Sequence, residues 1–232
     1  MFLSIILVIV AALPPLFLLI YVYSMDKIVP EPVPLIMWLI VLGAISAVIA
    51  FFLEGIGDGI IRFLASDQQP IIIVILTYLM VGAVEEGIKY IFLRVKTWKN
   101  PHFDYKFDGI VYAVAISMGF ALFENVGFVI NNGIVVAASR AVLAVPAHMS
   151  FSVVMGVLYS YSKFYRNRGR EQTSRVCGLL AWLLPVGMHG LYDTLATLQT
   201  TASTVLYICL VGALYVVGFG LINRESKHDM HL

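Results

Sequence analysis

The feature that most limits how this chain can fold is a series of apolar segments, each long enough to cross a lipid bilayer. A transmembrane helix needs about 20 mostly apolar residues, and it satisfies its own backbone hydrogen bonds where no water is available. Seven segments meet this requirement, namely residues 2–23, 35–53, 71–93, 108–130, 134–161, 176–198 and 205–222. The sequence therefore predicts an all-α fold, a polytopic membrane helix bundle with about seven transmembrane helices.

The composition supports this class and excludes others. Apolar residues make up 60% of the chain and charged residues 12%, whereas a soluble domain is about half apolar and a quarter charged. The net charge is +1 and no basic stretch is interleaved with aromatic residues, so no nucleic-acid partner is expected. The connecting segments are short and no repeat is visible, so residues 1–232 are expected to form a single integral-membrane domain.

The segments between the spans indicate the orientation of the chain and one additional element. Segments 94–106 and 162–175 are rich in Lys and Arg, whereas the alternate loops 131–133 and 199–204 contain none. Because cytoplasmic loops are enriched in basic residues, we expect the C-terminus inside the cell and the N-terminus outside. Residues 54–66 are predicted to form a short interfacial helix, with Glu54 and Asp58 as solvated loop residues.

Several polar and ionisable residues lie well inside the predicted spans. A charged side chain at the bilayer centre costs about 2.5–3.5 kcal/mol on insertion scales, so these residues must face one another or a hydrated cavity. They come from four consecutive spans, which predicts one shared interior site. The residues are Glu85, Glu86, Lys89, Glu124, Asn125, Arg140, His148, His189 and Asp193.

Helical spacing predicts which of these side chains share a face. Glu85 and Lys89 are four residues apart and can neutralise each other. Glu86 points about 100° away from its neighbour and could therefore face the cavity. His189 and Asp193 also lie one turn apart, so the carboxylate could hold the imidazole in one tautomer.

These residue types support more than one chemistry. A buried glutamate could take a proton from water while histidines stabilise an oxyanion. Alternatively, His148, His189 and Glu86 could bind zinc in a three-ligand hydrolytic site, although no HExxH motif is present. Acidic residues and histidines also form proton relays in transporters. The residues alone leave hydrolase and transporter open, and Arg140 is expected to act in structure rather than in catalysis.

The order of four motifs gives the chain a specific resemblance. The core motifs occupy residues 84–193 and read VEEGIKY, FDGIVYAVAISMGFALFENVGFV, SRAVLAVPAHMSFSVVMG and LLPVGMHGLYD. In this order they resemble the PrsW family of bacterial intramembrane proteases, which is distantly related to the superfamily of CAAX proteases and Abi proteins. The resemblance extends from residue 31 to residue 193.

The resemblance implies an activity, a substrate and a set of catalytic residues. The implied activity is hydrolysis of a peptide bond in a single-pass membrane protein. The implied role is the first cleavage of an anti-sigma factor on the extracytoplasmic side, which releases a sigma factor in a stress response. The expected location is the bacterial cell membrane. The matching catalytic positions are Glu85, Glu86, Glu124, His148, His189 and Asp193.

The resemblance leaves the cofactor open. Family members have been described as metalloproteases, and related enzymes as metal-independent glutamate proteases. We favour a mechanism without a cofactor, in which Glu85 or Glu86 is the base, and a divalent metal such as zinc is the alternative. The alternative function is non-catalytic, as a proton-coupled transporter or an immunity-type binding module. The predicted orientation also places the glutamates nearer the cytoplasmic end of the third span, whereas the family cleaves outside.

Overall fold

The computed structural model describes residues 2–232, except for the side chains of residues 2–6 and 131. Eight α-helices account for 85% of the chain, and no strand forms within the described residues. In this described part, seven helical stretches are long and apolar enough to cross a membrane, which confirms the predicted bundle. The helices are α1 (Phe2–Ser24), α2 (Val33–Leu64), α3 (Pro70–Thr97), α4 (Lys106–Asn132), α5 (Ile134–Val142), α6 (Ala144–Asn167), α7 (Glu171–Leu198) and α8 (Thr201–Lys227).

The central helix of the bundle is α4. Its residues 107–121 are mostly apolar on every side, and all of them are buried. A helix that is apolar all round belongs in the interior, and α4 packs against α1, α2 and α6. By contrast, only 17% of the apolar window of α3 is buried, so α3 lies nearer the periphery of the bundle than α4.

Two glycines allow α3 and α7 to approach closely. A Cβ atom on Gly82 would lie 2.9 Å from a backbone carbonyl oxygen of α7, and one on Gly190 would lie 2.9 Å from the side chain of Leu79. Small residues let helix backbones come together in membranes. Because Gly190 follows His189 and Gly82 lies about one turn before Glu86, this close approach brings the histidine to the glutamates.

The fifth predicted span is broken into two helices. Gly133 has a φ of 80°, a left-handed conformation that favours glycine. The nine-residue helix α5 follows this turn, and the chain turns again at Leu143 before α6 begins. The prediction of one continuous helix over residues 134–161 is therefore wrong, although α5 and α6 together still form one candidate span over Ile134–Asn167.

The second helix is longer than predicted. It runs without a break from Val33 to Leu64, so no separate interfacial helix forms over residues 54–66. Glu54 and Asp58 are consequently helical and partly buried, and the prediction that they are solvated loop residues is wrong. Arg62 and Asp58 form an ion pair of 2.7 Å one turn apart, which supports the helical conformation of this polar stretch.

The connecting segments lie at two ends of the bundle, because successive spans run in alternate directions. We call the end with the Lys- and Arg-rich segments the basic end and the other the opposite end. The basic end comprises segments 25–32, 98–105, 168–170 and 228–232, and the opposite end comprises segments 65–69, 133 and 199–200.

Candidate active site

The polar residues predicted to share one interior site do converge in the structure. They adjoin a cavity of about 420 Å³ that lies between the middle of the bundle and its opposite end. The residues come from five helices: Glu85, Glu86 and Lys89 from α3, Glu124 and Asn125 from α4, Arg140 from α5, His148 from α6, and His189 and Asp193 from α7.

The ammonium group of Lys89 lies at the centre of this cluster. Lys89 is only 1% exposed. Its Nζ atom donates hydrogen bonds to Glu86 Oε1 at 2.8 Å and to Glu85 Oε2 at 3.1 Å, and it lies 3.8 Å from the centre of the Phe120 ring. Nζ also lies 3.5 Å from His148 Nδ1. One buried cation is thus shared between two buried carboxylates and balances one negative charge, which lowers the cost of placing them in a membrane interior.

The two histidines present the same nitrogen atom to the centre. His148 Nδ1 faces Lys89, and His189 Nδ1 lies 3.0 Å from Glu86 Oε1. The outer nitrogens contact carboxylates: His148 Nε2 lies 3.1 Å from Glu124 Oε2, and His189 Nε2 lies 3.3 Å from Asp193 Oδ2. The Asp193 contact has the one-turn spacing that the sequence predicted. Each imidazole is therefore fixed on its outer side by an acidic residue.

Arg140 fixes the carboxylate that holds His148. Its Nη2 atom donates to Glu124 Oε2 at 2.7 Å, and its Nε atom donates to Asn125 Oδ1 at 2.9 Å. Asn125 in turn donates from Nδ2 to the carbonyl oxygen of Ala11 at 2.7 Å. This chain of contacts joins α5, α4 and α1, and it orients Glu124 towards the histidine.

The two glutamates differ in their access to the cavity. Glu85 lines the cavity, whereas Glu86 does not, and the buried Oε2 atom of Glu86 has no hydrogen-bond partner. Helical spacing suggested the reverse, with Glu86 at the cavity and Glu85 on Lys89. The lysine instead contacts both carboxylates, because residues three and four apart are both neighbours on a helix.

Several polar residues of the cavity wall were not among the predicted site residues. Glu54 of α2 lines the cavity, and its buried Oε1 atom has no hydrogen-bond partner. Tyr192 and Tyr207 also line it, joined by a hydrogen bond of 2.8 Å between their hydroxyl groups. A signal for Glu54 was present, because extending the second span by one residue would have made it intramembrane. Tyrosines near span ends, in contrast, resemble the aromatic belt of a membrane protein.

The inner cluster fits a metal ion. Ligand atoms of Glu85, Glu86, His148 and His189 all lie within 4.8 Å of one another, and all four residues are buried. Carboxylate oxygen and imidazole nitrogen are donors that zinc uses. A histidine that binds a metal usually donates its other N–H to a carboxylate, and both histidines have that carboxylate in place.

A membrane-spanning bundle that buries paired carboxylates and histidines beside a cavity has the features of a membrane-embedded hydrolase. Residues 31–220 match the PrsW family, which is described as a family of intramembrane metalloproteases. Because this match covers most of the chain, the chain belongs to the PrsW family, and the predicted resemblance is confirmed. The chain is therefore a membrane peptidase and a multi-pass bacterial membrane protein.

Three relatives named Protease PrsW support this assignment. The protein of Oceanobacillus iheyensis is 34% identical over 217 residues, which cover 94% of each chain. The protein of Clostridioides difficile is 28% identical over 94% of this chain and 91% of its own. The protein of Bacillus subtilis is 28% identical over 94% of each chain. No solved structure matches the chain.

Proposed function

We propose that the chain is an endopeptidase that hydrolyses a peptide bond in a single-pass membrane protein. The observation that carries the proposal is a cavity of about 420 Å³ inside the bundle, lined by four acidic residues, Glu85 among them, and by two histidines. The proposed catalytic set is Glu85, Glu86, Glu124, His148, His189 and Asp193.

Glu85 is the proposed general base. It lines the cavity, and Lys89 Nζ holds its Oε2 atom at 3.1 Å, so the carboxylate has a fixed position beside the substrate space. A general base must lie within hydrogen-bonding reach of the water that it activates. Water oxygen adds to the scissile carbonyl carbon, the C–N bond breaks, and the amine leaves with the proton that Glu85 accepted.

The histidines are proposed to stabilise the oxyanion that forms when water adds. Both rings line the cavity, and their ring centres are 5.2 Å apart. Glu124 and Asp193 hold the outer nitrogens of His148 and His189, which keeps the rings from rotating. Preorganised donors of this kind stabilise developing charge because they need no reorganisation during the reaction.

The alternative to this mechanism is a metal site, in which Glu86, His148 and His189 would hold a divalent ion of the zinc type instead of the histidines acting as oxyanion donors. The donor set and the two outer carboxylates support this, as does the description of the family as metalloproteases. When bound, such a metal supplies Lewis-acid activation of the carbonyl and of water. We favour the metal-free glutamate mechanism, because the Lys89 ammonium group lies between the two glutamates.

The position of the cavity supports cleavage near the extracytoplasmic side. Glu85 lies about halfway along α3, and the lining continues through Tyr78, Phe128 and Thr197 towards the opposite end. Basic residues predict that the other end is cytoplasmic. A cavity on this side is compatible with the first cleavage of an anti-sigma factor, which is the proposed physiological reaction and would precede sigma-factor release in a stress response.

A second groove offers a path from the lipid to the cavity. It has a volume of about 530 Å³, lies between α2 and α3, and shares Glu54 and Val81 with the cavity. Phe51, Phe52 and Met80 also line it. We propose that a transmembrane segment of the substrate approaches along this apolar groove, so that an unwound part of it reaches Glu85.

The experiment that tests this function is cleavage of tagged single-pass anti-sigma factors co-expressed with the chain. Wild type, Glu85→Gln and His148→Ala are compared by immunoblot, with Asp67→Asn as the control, because Asp67 is an exposed loop acid. A shortened substrate is expected with wild type and the control only. Cleavage that survives both site substitutions would refute the proposed mechanism.

A second experiment distinguishes the two catalytic types and the non-catalytic alternative. Purified enzyme is treated with a chelator and then supplied with zinc; loss and recovery of cleavage support the metal, whereas unchanged cleavage supports the glutamate mechanism. A transporter or immunity module would cleave nothing. A transporter would instead show uptake driven by a pH gradient that depends on Glu85 and Glu86.

A further inference from the structure

A second group of carboxyl side chains lies at the basic end of the bundle, far along α4 from the cavity. Asp26 and Glu31 belong to the segment between α1 and α2, and Asp108 belongs to the first turn of α4. One oxygen atom of each lies within 4.8 Å of the others. We call these three residues the acidic trio. All are buried, with exposed fractions of 5%, 3% and 0%.

Buried oxygen atoms of the acidic trio lack partners. Neither carboxylate oxygen of Asp26 has a hydrogen-bond partner, and neither does Oδ1 of Asp108. The other oxygen of Asp108 accepts from the backbone N–H groups of Asp104 and Tyr105, at 3.0 and 2.6 Å. Leaving a buried polar group unpaired is costly, and more so when it is ionised. Asp26 thus brings a buried carboxylate without a hydrogen-bond partner to a cluster in which each of the three residues offers one oxygen atom.

No basic side chain of the described residues forms an ion pair with the acidic trio, and the Lys163 ammonium group acts on Asp108 only from beyond ion-pair distance. The ion pairs within the described part of the chain involve other acids, and none includes a member of the acidic trio. Glu31 is held through Oε2, which accepts a hydrogen bond from the Tyr112 hydroxyl group. This phenol is neutral, so it brings no positive charge to the acidic trio.

We propose that Asp26, Glu31 and Asp108 form a binding site for a hard divalent cation, Mg²⁺ or Ca²⁺, distinct from the active site. All the donors are oxygen atoms, and carboxylate oxygen is the donor that these two cations prefer. Oxygen atoms that lie within 4.8 Å of one another can all reach one ion, because Ca–O distances are about 2.3–2.6 Å. The predicted cytoplasmic position makes Mg²⁺ the expected occupant in the cell.

Such an ion would tie three parts of the chain together. It would join the segment between α1 and α2 to the start of α4, where the C-terminal segment also attaches. Lys106 N donates to the carbonyl oxygen of Met230 at 3.1 Å, and Phe107 N donates to Asp229 Oδ1 at 2.9 Å. The role of the ion is therefore to stabilise the basic end of the bundle.

The test is cation-dependent thermal unfolding of the full chain in detergent. The protein is stripped with a chelator, and MgCl₂ or CaCl₂ is then titrated to millimolar concentration. The variants are Asp26→Asn and Glu31→Gln at the acidic trio, Glu85→Gln to remove a carboxylate of the active site, and Asp67→Asn as the exposed control. We expect the midpoint to rise by several degrees in wild type, Glu85→Gln and Asp67→Asn, and to stay unchanged in the two trio variants.

The sign of the effect without cations separates the proposal from simple misfolding. In chelator, Asp26→Asn is expected to unfold at or above the wild-type temperature, because the amide removes a buried unpaired charge while keeping its shape. Terbium provides a second readout, since the Tyr112 ring beside Glu31 can sensitise its luminescence. This luminescence should persist in Glu85→Gln, disappear in Glu31→Gln, and be displaced by Ca²⁺ in wild type.

Two results would overturn the proposal. The first is that neither cation shifts the wild-type unfolding midpoint and that Ca²⁺ displaces no terbium luminescence. The carboxyl groups would then hold protons instead of a cation. The other is a cation response in Asp26→Asn as large as in wild type, which would place the bound cation elsewhere. Because none of these readouts uses cleavage, failure of the peptidase proposal would leave this test unaffected.

Discussion

Replacing Lys89 by methionine removes the ammonium group from between two buried carboxylates while keeping an unbranched side chain of similar length. The structure shows two charged hydrogen bonds, at 2.8 and 3.1 Å, and a contact of 3.8 Å with the Phe120 ring, all made by one Nζ atom. Removing one partner of a buried ion pair costs about 3–5 kcal/mol, because the remaining charge is left uncompensated. We therefore expect Lys89→Met to lower the free energy of unfolding by about 4 kcal/mol.

The assay is thermal unfolding of purified protein in one detergent, with wild type and variants in parallel. On the scaling for soluble domains of about 150–250 residues, 1 kcal/mol shifts the midpoint by about 2–4 °C, so a loss of about 4 kcal/mol corresponds to about 8–16 °C. The double variant Glu85→Gln/Lys89→Met is expected to recover part of this loss, because one of the two uncompensated charges is gone. Lys96→Met is the matched control, since Lys96 is an exposed lysine on the same helix.

The reasoning would be refuted by a Lys89→Met variant that unfolds within about 1 kcal/mol of wild type, below the range for a broken buried ion pair. It would also be refuted if the double variant were no more stable than Lys89→Met alone. Either result would mean that Lys89 does not neutralise the glutamates in the folded protein.

The remaining predictions concern packing, pH and the orientation of the site. Gly190→Ala is expected to lower the free energy of unfolding by about 1–3 kcal/mol and to reduce cleavage. The added Cβ atom would lie 2.9 Å from a Leu79 atom and 3.1 Å from backbone atoms of α3. Gly220→Ala is the unfolding control and should not destabilise the fold, because no atom lies within 4 Å of its Cβ position. Burial raises the pKa of Asp26 to about 6 and of Glu31 to about 7. As the pH rises, both carboxyl groups therefore ionise in the unfolded chain before they ionise in the folded protein. Without divalent cations, the contribution of each group to the free energy of unfolding should fall by about 2 kcal/mol between about pH 4 and about pH 7. The measurement is the unfolding midpoint in chelator across this pH range, compared between wild type and a variant with both acids replaced by amides. A wild-type midpoint that rises with pH relative to that variant would contradict the prediction. Arg140→Gln should reduce the cleavage rate at least about tenfold, because the carboxylate that holds a catalytic histidine loses its charged partner; unchanged kinetics would show that this carboxylate is held by other contacts.

The fold class and most of the site could be predicted because their signals are local. Long apolar segments require helices in a bilayer, and intramembrane charges must converge; both expectations hold for α3, α4 and α7. The pairing of His189 with Asp193 also follows from helical spacing alone. The roles of these residues in catalysis stay a prediction, which the cleavage experiment tests.

Other features could not be read from the sequence, because they depend on tertiary packing. Hydropathy falls over the glycines and charges after residue 53, although the backbone of α2 continues as a helix to Leu64. The break at Leu143 is an exception with a local signal, because Pro146 has no N–H group to bond to the carbonyl oxygen of Val142, where α5 ends. Whether Glu85 or Glu86 reaches the cavity depends on where α6 and α7 place their histidines. The spacing of residues along α3 gives no information about that placement.

The glutamate pair lies on α3, of whose apolar window only 17% is buried, whereas 61% of the corresponding window of α4 is buried. The surrounding hydrocarbon therefore acts as part of the scaffold that holds Glu85 and Glu86 against the histidines of α6 and α7. Membrane thickness, lipid order and the choice of detergent become experimental variables of the catalytic centre itself. An activity measured in one solubilised state describes the protein together with its amphiphiles.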